Sequence, residues 1–252
     1  VLAGIAIGFF VGAKFTGLIF AVACGATVLA QRKWLSHGAT LTAVTVLVGL
    51  QWYVWNFSHT GDPLFPVFYG ILDYSQPEYW SREQAAAFKK LILSESGVAQ
   101  NLFWYFAYPF VATVSGMREF DSGRAGLGVF VLLLFPLSLW GLVIFRQRVL
   151  GSGLLPVALI VLLFYTLWFF TGFSQRVRHL LPVYPLLLIL VTVLTVEVAH
   201  RFYLNTGLIF AILLTMGIQV SAHFVFSLSF ANRILQKETR DEFLLRSVSS
   251  YE

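Results

Sequence analysis

Lys14, Arg176, Arg178 and His179 are the residues of this sequence best suited to chemistry, because each puts a cation or a proton carrier at the end of an apolar run. Cations beside helix ends, at the level of lipid headgroups, are suited to hold an anion. An isoprenoid-linked phosphate or pyrophosphate fits that position, since its tail dissolves in lipid while its head meets the rim. The competing reading is plainer: Arg176 and Arg178 touch the phosphates of bulk lipid, and His179 is a hydrogen-bonded interface residue.

The elements that must hold these side chains are helices in lipid. Of the 252 residues 58% are hydrophobic and 12% charged, against roughly 25% charged in a soluble domain. A water-soluble fold could not hide so much apolar surface. The apolar runs are far longer than the roughly 9 to 11 residues of a barrel strand, so the spans are helical. Net charge is +5, from 17 basic and 12 acidic residues. Cys24 is the single cysteine, which excludes an internal disulfide and a cysteine metal cluster. No metal, cofactor or nucleic-acid partner is expected. The sequence starts at Val1 inside an apolar run and stops at Glu252 without a closing element, so it reads as a piece of a longer protein.

Residues 1–12 carry Gly4, Gly8 and Gly12 on one helical face, the spacing that lets helix backbones approach closely in lipid. Lys14 then separates this run from the next, 15–30. One long tilted helix with a buried lysine would exceed the roughly 20 residues of a span, so a turn at Lys14 is the preferred reading. After Gln31-Arg32-Lys33 comes a helix over 40–55, closing in the collar Trp52, Tyr53 and Trp55. Trp and Tyr favour the headgroup level, and the following Thr60-Gly61-Asp62-Pro63 cannot continue a helix.

Beyond that turn, Ser81-Arg82-Glu83-Gln84 has the pattern of a capping box. It opens an amphipathic helix with Ala85, Phe88, Leu91 and Ile92 on one face and Lys89 and Lys90 off it, expected to lie along the membrane interface. The aromatic run 98–114 is interrupted by Gln100, Asn101 and Pro109 and is not expected to span. Spans are expected over 126–145, 154–170, 180–196 and 207–226, with a polar loop over 197–205. The expected fold is therefore all-α: a polytopic transmembrane helix bundle over 1–227. It carries a long extracytoplasmic loop over about 56–125 with interfacial helices, and 228–252 begins a soluble segment.

Short loops rich in Lys and Arg stay in the cytoplasm. With Gln31-Arg32-Lys33 inside, Arg146-Gln147-Arg148 and His200-Arg201 also fall inside, and the 56–124 loop and the tail fall outside. Arg176-Val177-Arg178-His179 is the exception, and Lys14 shares its outer side. Cations kept where topology disfavours them mark a site.

Four segments resemble polyprenyl-phosphate-dependent glycosyltransferases of the GT-C superfamily, the group of protein mannosyltransferases and bacterial aminoarabinose transferases. They are Gly8 to Gly17 with its turn Gly12-Ala13-Lys14-Phe15-Thr16-Gly17; the stretch from Trp52 to Pro66, similar to Trp-Tyr-x-Arg-Asn-x-x-x-Thr-Gly-Asn-Pro-x-x-Pro; Arg178-His179-Leu180-Leu181-Pro182, similar to Arg-Tyr-Leu-Leu-Pro; and Thr239-Arg240-Asp241-Glu242-Phe243-Leu244, similar to Ser-Arg-Asp-Glu-Tyr-Leu. Their order and sidedness match across nearly the whole sequence.

The resemblance implies an enzyme of the inner (plasma) membrane that moves a sugar from a polyprenyl phosphate to an acceptor outside. Lys14, Arg176 and Arg178 would hold the donor phosphate, His179 would support it, and Asn56, Thr60 and Asp62 would belong to the substrate-pocket loop. Two departures stand against it. Trp55 occupies the position of a family arginine, and the family's catalytic carboxylate lies in an upstream loop that has no match here, which leaves the catalytic residue unknown. Asp62 and Asp73 lie on the expected side, but Asp62 is better explained by its turn. The rival readings are a transporter or flippase of a lipid-linked anion, for which neither internal repeats nor paired broken helices are found, and a non-catalytic subunit of a membrane complex.

Overall fold

The computed structural model of the chain describes residues 1–67, 80–94, 97–114, 127–171, 174–235 and 239–247. These residues form helices, turns and irregular segments, with no strand among them. The chain divides into two compact units, Val1–Thr195 and Val196–Glu252.

In the first unit the break expected at Lys14 is present. Helix α1 (Leu2–Ala13) ends where Lys14 becomes extended, with φ −159° and ψ 141°, and α2 (Thr16–Val28) returns alongside it. Phe10 and Phe20 meet edge to face at 5.6 Å across the turn. The turn is tight enough that a Cβ on Gly17 would stand 2.5 Å from the Phe10 carbonyl oxygen, so glycine is required there. Helix α3 (Trp34–Gly49) packs on the glycine face of α1. A Cβ on Gly8 would come within 2.7 Å of Val48 Cβ, and Thr45 Oγ1 donates to the Gly4 carbonyl at 3.3 Å. This is the close approach that small residues permit.

Where the sequence suggested one helix over 40–55, the chain bends by 56° and continues as α4 (Gln51–Thr60). The bend turns the Tyr53 side of α4 over the end of α1, where the Tyr53 hydroxyl donates to the Val11 carbonyl at 2.8 Å. Gly61 ends α4 in the left-handed region at φ 74°, a conformation glycine adopts without penalty. Helix α5 (Arg82–Ser94) opens on the expected capping box with both reciprocal bonds made. Ser81 N donates to Gln84 Oε1 at 2.8 Å, and Gln84 N to Ser81 Oγ at 3.1 Å.

The run 98–114, read from sequence as interrupted, contains a full helix, α6 (Leu102–Val114). Asn101, one of the supposed breaks, starts it by accepting the Trp104 N–H on Oδ1 at 2.9 Å. Pro109 lies inside it. Helices α7 (Val129–Ile144), α8 (Arg146–Leu150) and α9 (Leu154–Thr171) follow, then a 3-10 turn, Val177–Leu180, and α10 (Tyr184–Arg201). The core lies between α2, α6, α9 and the 3-10 turn, where Ala23, Tyr105, Tyr108, Phe164, Trp168 and Phe169 are buried. The tyrosine hydroxyls are satisfied within it: Tyr105 meets Thr166 Oγ1 at 2.8 Å, and Tyr165 donates to the Tyr105 carbonyl at 2.6 Å.

Helix α10 runs into the second unit, so the loop expected over 197–205 shrinks to the residues between Arg201 and Asn205. There α11 (Asn205–Ile234) extends well past the expected end at 226, and α12 (Arg240–Ser247) turns back to set Phe243 against Phe230 at 5.7 Å. Leu154–Thr171, Tyr184–Arg201 and Asn205–Val225 are long and apolar enough to cross a bilayer, and the bent pair α3 and α4 makes a fourth if it is one span. These helices mark the chain as a membrane protein. The two runs flanking Lys14 and the span expected over 126–145 form shorter apolar helices, Leu2–Ala13, Thr16–Val28 and Val129–Ile144. The last has 16 residues, about 24 Å against a core of about 30 Å, because Gly128 starts it late at φ 85° and Phe145 leaves it.

Candidate functional site

Of the expected cation set, Lys14 and Arg178 feel one another's charge. The extended backbone of Lys14 is fixed on both sides: its N–H donates to the Phe10 carbonyl at 3.0 Å, and its own carbonyl accepts the Gly17 N–H at 2.8 Å. The side chain reaches solvent, yet its ammonium holds its proton less tightly than an ordinary lysine. Partial burial is the larger cause and the positive charge of Arg178 the second. A lysine reports the field of a guanidinium only when the two are near one another.

Arg178 stands on the 3-10 turn whose Val177 and Leu180 are buried as anchors, which leaves its own side chain exposed. The turn closes with the His179 N–H donating to the Arg176 carbonyl at 3.0 Å. Arg176 and His179 are half-buried, with the Nε of Arg176 fully enclosed. The two share the turn with Arg178, and Lys14 meets the turn through Arg178.

Asn56, Thr60 and Asp62 are buried together at the end of α4. Asn56 Nδ2 donates to the Pro63 carbonyl at 3.4 Å, Thr60 Oγ1 donates to the Asn56 carbonyl at 2.8 Å, and Asp62 Oδ1 accepts the Leu64 N–H at 2.8 Å. The Asp62 contact is the side-chain turn expected of an aspartate before proline. All three side chains therefore bond to the backbone of the chain's exit from α4. Tyr53, on the same face of α4, ties this cluster to the Lys14 turn through Val11 and through Phe15, whose ring lies 6.2 Å away. Asp73 lies outside the described residues. Among the described residues, no group of three or more His, Cys, Asp or Glu could hold a metal.

Two arrangements were not read from sequence. Trp52 and Trp55 stack at 5.0 Å with 10° between planes, and Trp55 stacks on His59 at 4.2 Å, forming a ladder on the exposed face of α4. Their i, i+3, i+7 spacing is the signal that could have found it. Trp55 is thus committed to ring stacking. The second is a cavity of about 520 Å³ between α6, α7, α9 and α10, lined among others by Phe110, Val131, Phe135, Leu162, Leu180 and Leu187. Leu180 belongs to the same 3-10 turn as Arg178, so an apolar chamber and a cationic rim share one short element.

No family model, curated protein or solved structure matches the chain.

Proposed function

We propose that the chain is part of an integral-membrane glycosyltransferase that transfers a sugar from a polyprenyl-phosphate donor to an extracytoplasmic acceptor. The carrying observation is the electrostatic coupling of Lys14 with Arg178, two cations from distant parts of the first unit, beside the apolar cavity that shares the 3-10 turn. Such a pair is stabilised by a shared anion. A phosphate at the membrane surface satisfies both charges at once.

The apolar cavity beside the same turn suits an isoprenoid tail, and the four sequence segments that resemble the GT-C superfamily supply the reaction class. In this reading Lys14, Arg176 and Arg178 neutralise the phosphate as its sugar departs, an electrostatic contribution made by groups already in position. His179 supports the turn, and the backbone-bonded cluster of Asn56, Thr60 and Asp62 gives the chain leaving α4 a fixed base beside the acceptor. The carboxylate that activates the acceptor is supplied from outside the described residues.

The test is sugar transfer by the protein reconstituted in lipid, comparing wild type with Arg178→Ala and Lys14→Ala. Loss of transfer with retained folding supports the reading, and wild-type turnover in both variants removes it.

A further inference from the structure

Gln175 immediately precedes the cationic turn, and it is 1% exposed in the aromatic core. A buried amide must be matched by partners to repay its lost hydration. Its Oε1 accepts the Val98 N–H at 2.9 Å, and its main-chain carbonyl accepts the Tyr108 hydroxyl. One residue therefore joins three pieces of chain: the segment leading into α6, the middle of α6, and the turn that bears Arg176, Arg178 and His179.

The surroundings make this a deliberate choice of side chain. Tyr108 is enclosed, and its ring contacts Trp168 at 5.4 Å and Phe169 at 6.0 Å. A leucine or methionine would fill the same volume without the demand that Gln175 carries, since its Nε2 and the neighbouring Ser174 Oγ are buried without a hydrogen-bond partner among the described residues. Polar groups left this way are costly, and they persist where they fix geometry. The 3-10 turn needs such help. It is four residues long, and short 3-10 segments have poor hydrogen-bond geometry of their own. Val177 and Leu180 set its depth, but apolar anchors do not set its rotation. Directional bonds through Gln175 do.

We infer that Gln175 is a positioning residue: by clamping α6 and its lead-in segment to the 3-10 turn, it aims Arg178 toward Lys14. Its consequence for donor binding rests on the proposed function above, whereas the aiming itself does not. Movement of the 97–114 segment would be transmitted to the turn through this one residue, by its side chain at Val98 and by its main chain at Tyr108.

The experiment follows the Lys14 titration directly, by NMR of the protein with 13C-dimethylated lysines, assigned with Lys14→Arg. Arg178→Ala gives the full upward shift that accompanies loss of the neighbouring charge. Gln175→Leu, which removes the Val98 bond and keeps the main-chain bond to Tyr108, is expected to recover part of that shift. Tyr108→Phe, which deletes one hydroxyl and keeps the ring, is expected to recover part of it and guards against a misfolded Gln175 variant. A merely structural role would lower thermal stability and leave the Lys14 titration of the folded protein where it is in wild type. An unchanged titration in both Gln175→Leu and Tyr108→Phe overturns the inference. Binding of a long-chain polyprenyl phosphate in nanodiscs is measured alongside, with about a tenfold loss expected for Gln175→Leu. If wild type itself does not bind that lipid, the proposed function fails while the titration result stands.

Discussion

The guanidinium of Arg178 lies near enough to the ammonium of Lys14 to weaken that lysine's hold on its proton. One charge is carried by the turn between α1 and α2, the other by the 3-10 turn after α9. Like charges at one rim repel, and an anion that meets both lowers that repulsion.

Under the proposed function, removing either charge should weaken lipid-phosphate binding. A hydrogen bond to a charged group is worth roughly 1.5–3 kcal/mol, so Lys14→Ala and Arg178→Ala should each lower affinity for a polyprenyl phosphate by about tenfold to a hundredfold. The double variant should lose less than the sum, because each single change also relieves repulsion in the unbound state. Isothermal titration in nanodiscs measures all three. Strictly additive losses would mean that the two cations do not share a ligand.

The same pair predicts a pH dependence. A bound anion stabilises the protonated Lys14, so binding takes up protons and affinity falls as pH rises through its lowered pKa, while Arg178 stays charged. The unbound protein behaves oppositely. Below the lowered pKa both folded and unfolded chains hold the proton and the penalty is fully present. It is relieved as pH climbs from there to the ordinary value of 10.5. Stability at alkaline pH should therefore show a rise in wild type that Lys14→Met lacks.

Glycine substitutions separate packing from propensity. Gly8→Ala should destabilise by about 1–3 kcal/mol through overpacking, since its Cβ would press on Val48 and on the Thr45 carbonyl. Gly25→Ala in α2 meets nothing within 4 Å and should be neutral or stabilising by about 0.5–1 kcal/mol. Thermal unfolding in detergent reads both, and equal effects at the two positions would contradict the helix interface.

Ser81→Ala removes one half of the α5 capping box and should cost about 1 kcal/mol of local stability. Amide hydrogen exchange at the first turn of α5 should quicken while the core at Tyr108 is unaffected.

The features read correctly from sequence were local ones. The Lys14 break, the Gly61 stop, the Ser81 capping box and the Asp62 turn each depend on a few adjacent residues whose backbone chemistry is self-contained. The run 98–114 was read as broken because Pro109 and Asn101 look like interruptions in isolation. Asn101 is in fact its cap, and its tyrosines find partners on α9 and at Gln175, far along the chain. The bend at Leu50 was hidden for the same reason, being tied to the contact of Tyr53 with Val11. In the candidate site the cations were visible as charges on apolar ends, but the clamp that orients them was not. Gln175 has meaning only once Val98 and Tyr108 are beside it.

The most direct test of the account is cryo-electron microscopy of the protein in nanodiscs containing a long-chain polyprenyl phosphate. Phosphate density within about 4 Å of both the Lys14 ammonium and the Arg178 guanidinium, with a tail entering the chamber lined by Leu180, is the predicted result. Density held by neither cation, or Lys14 and Arg178 found on opposite faces of the bilayer, would contradict it.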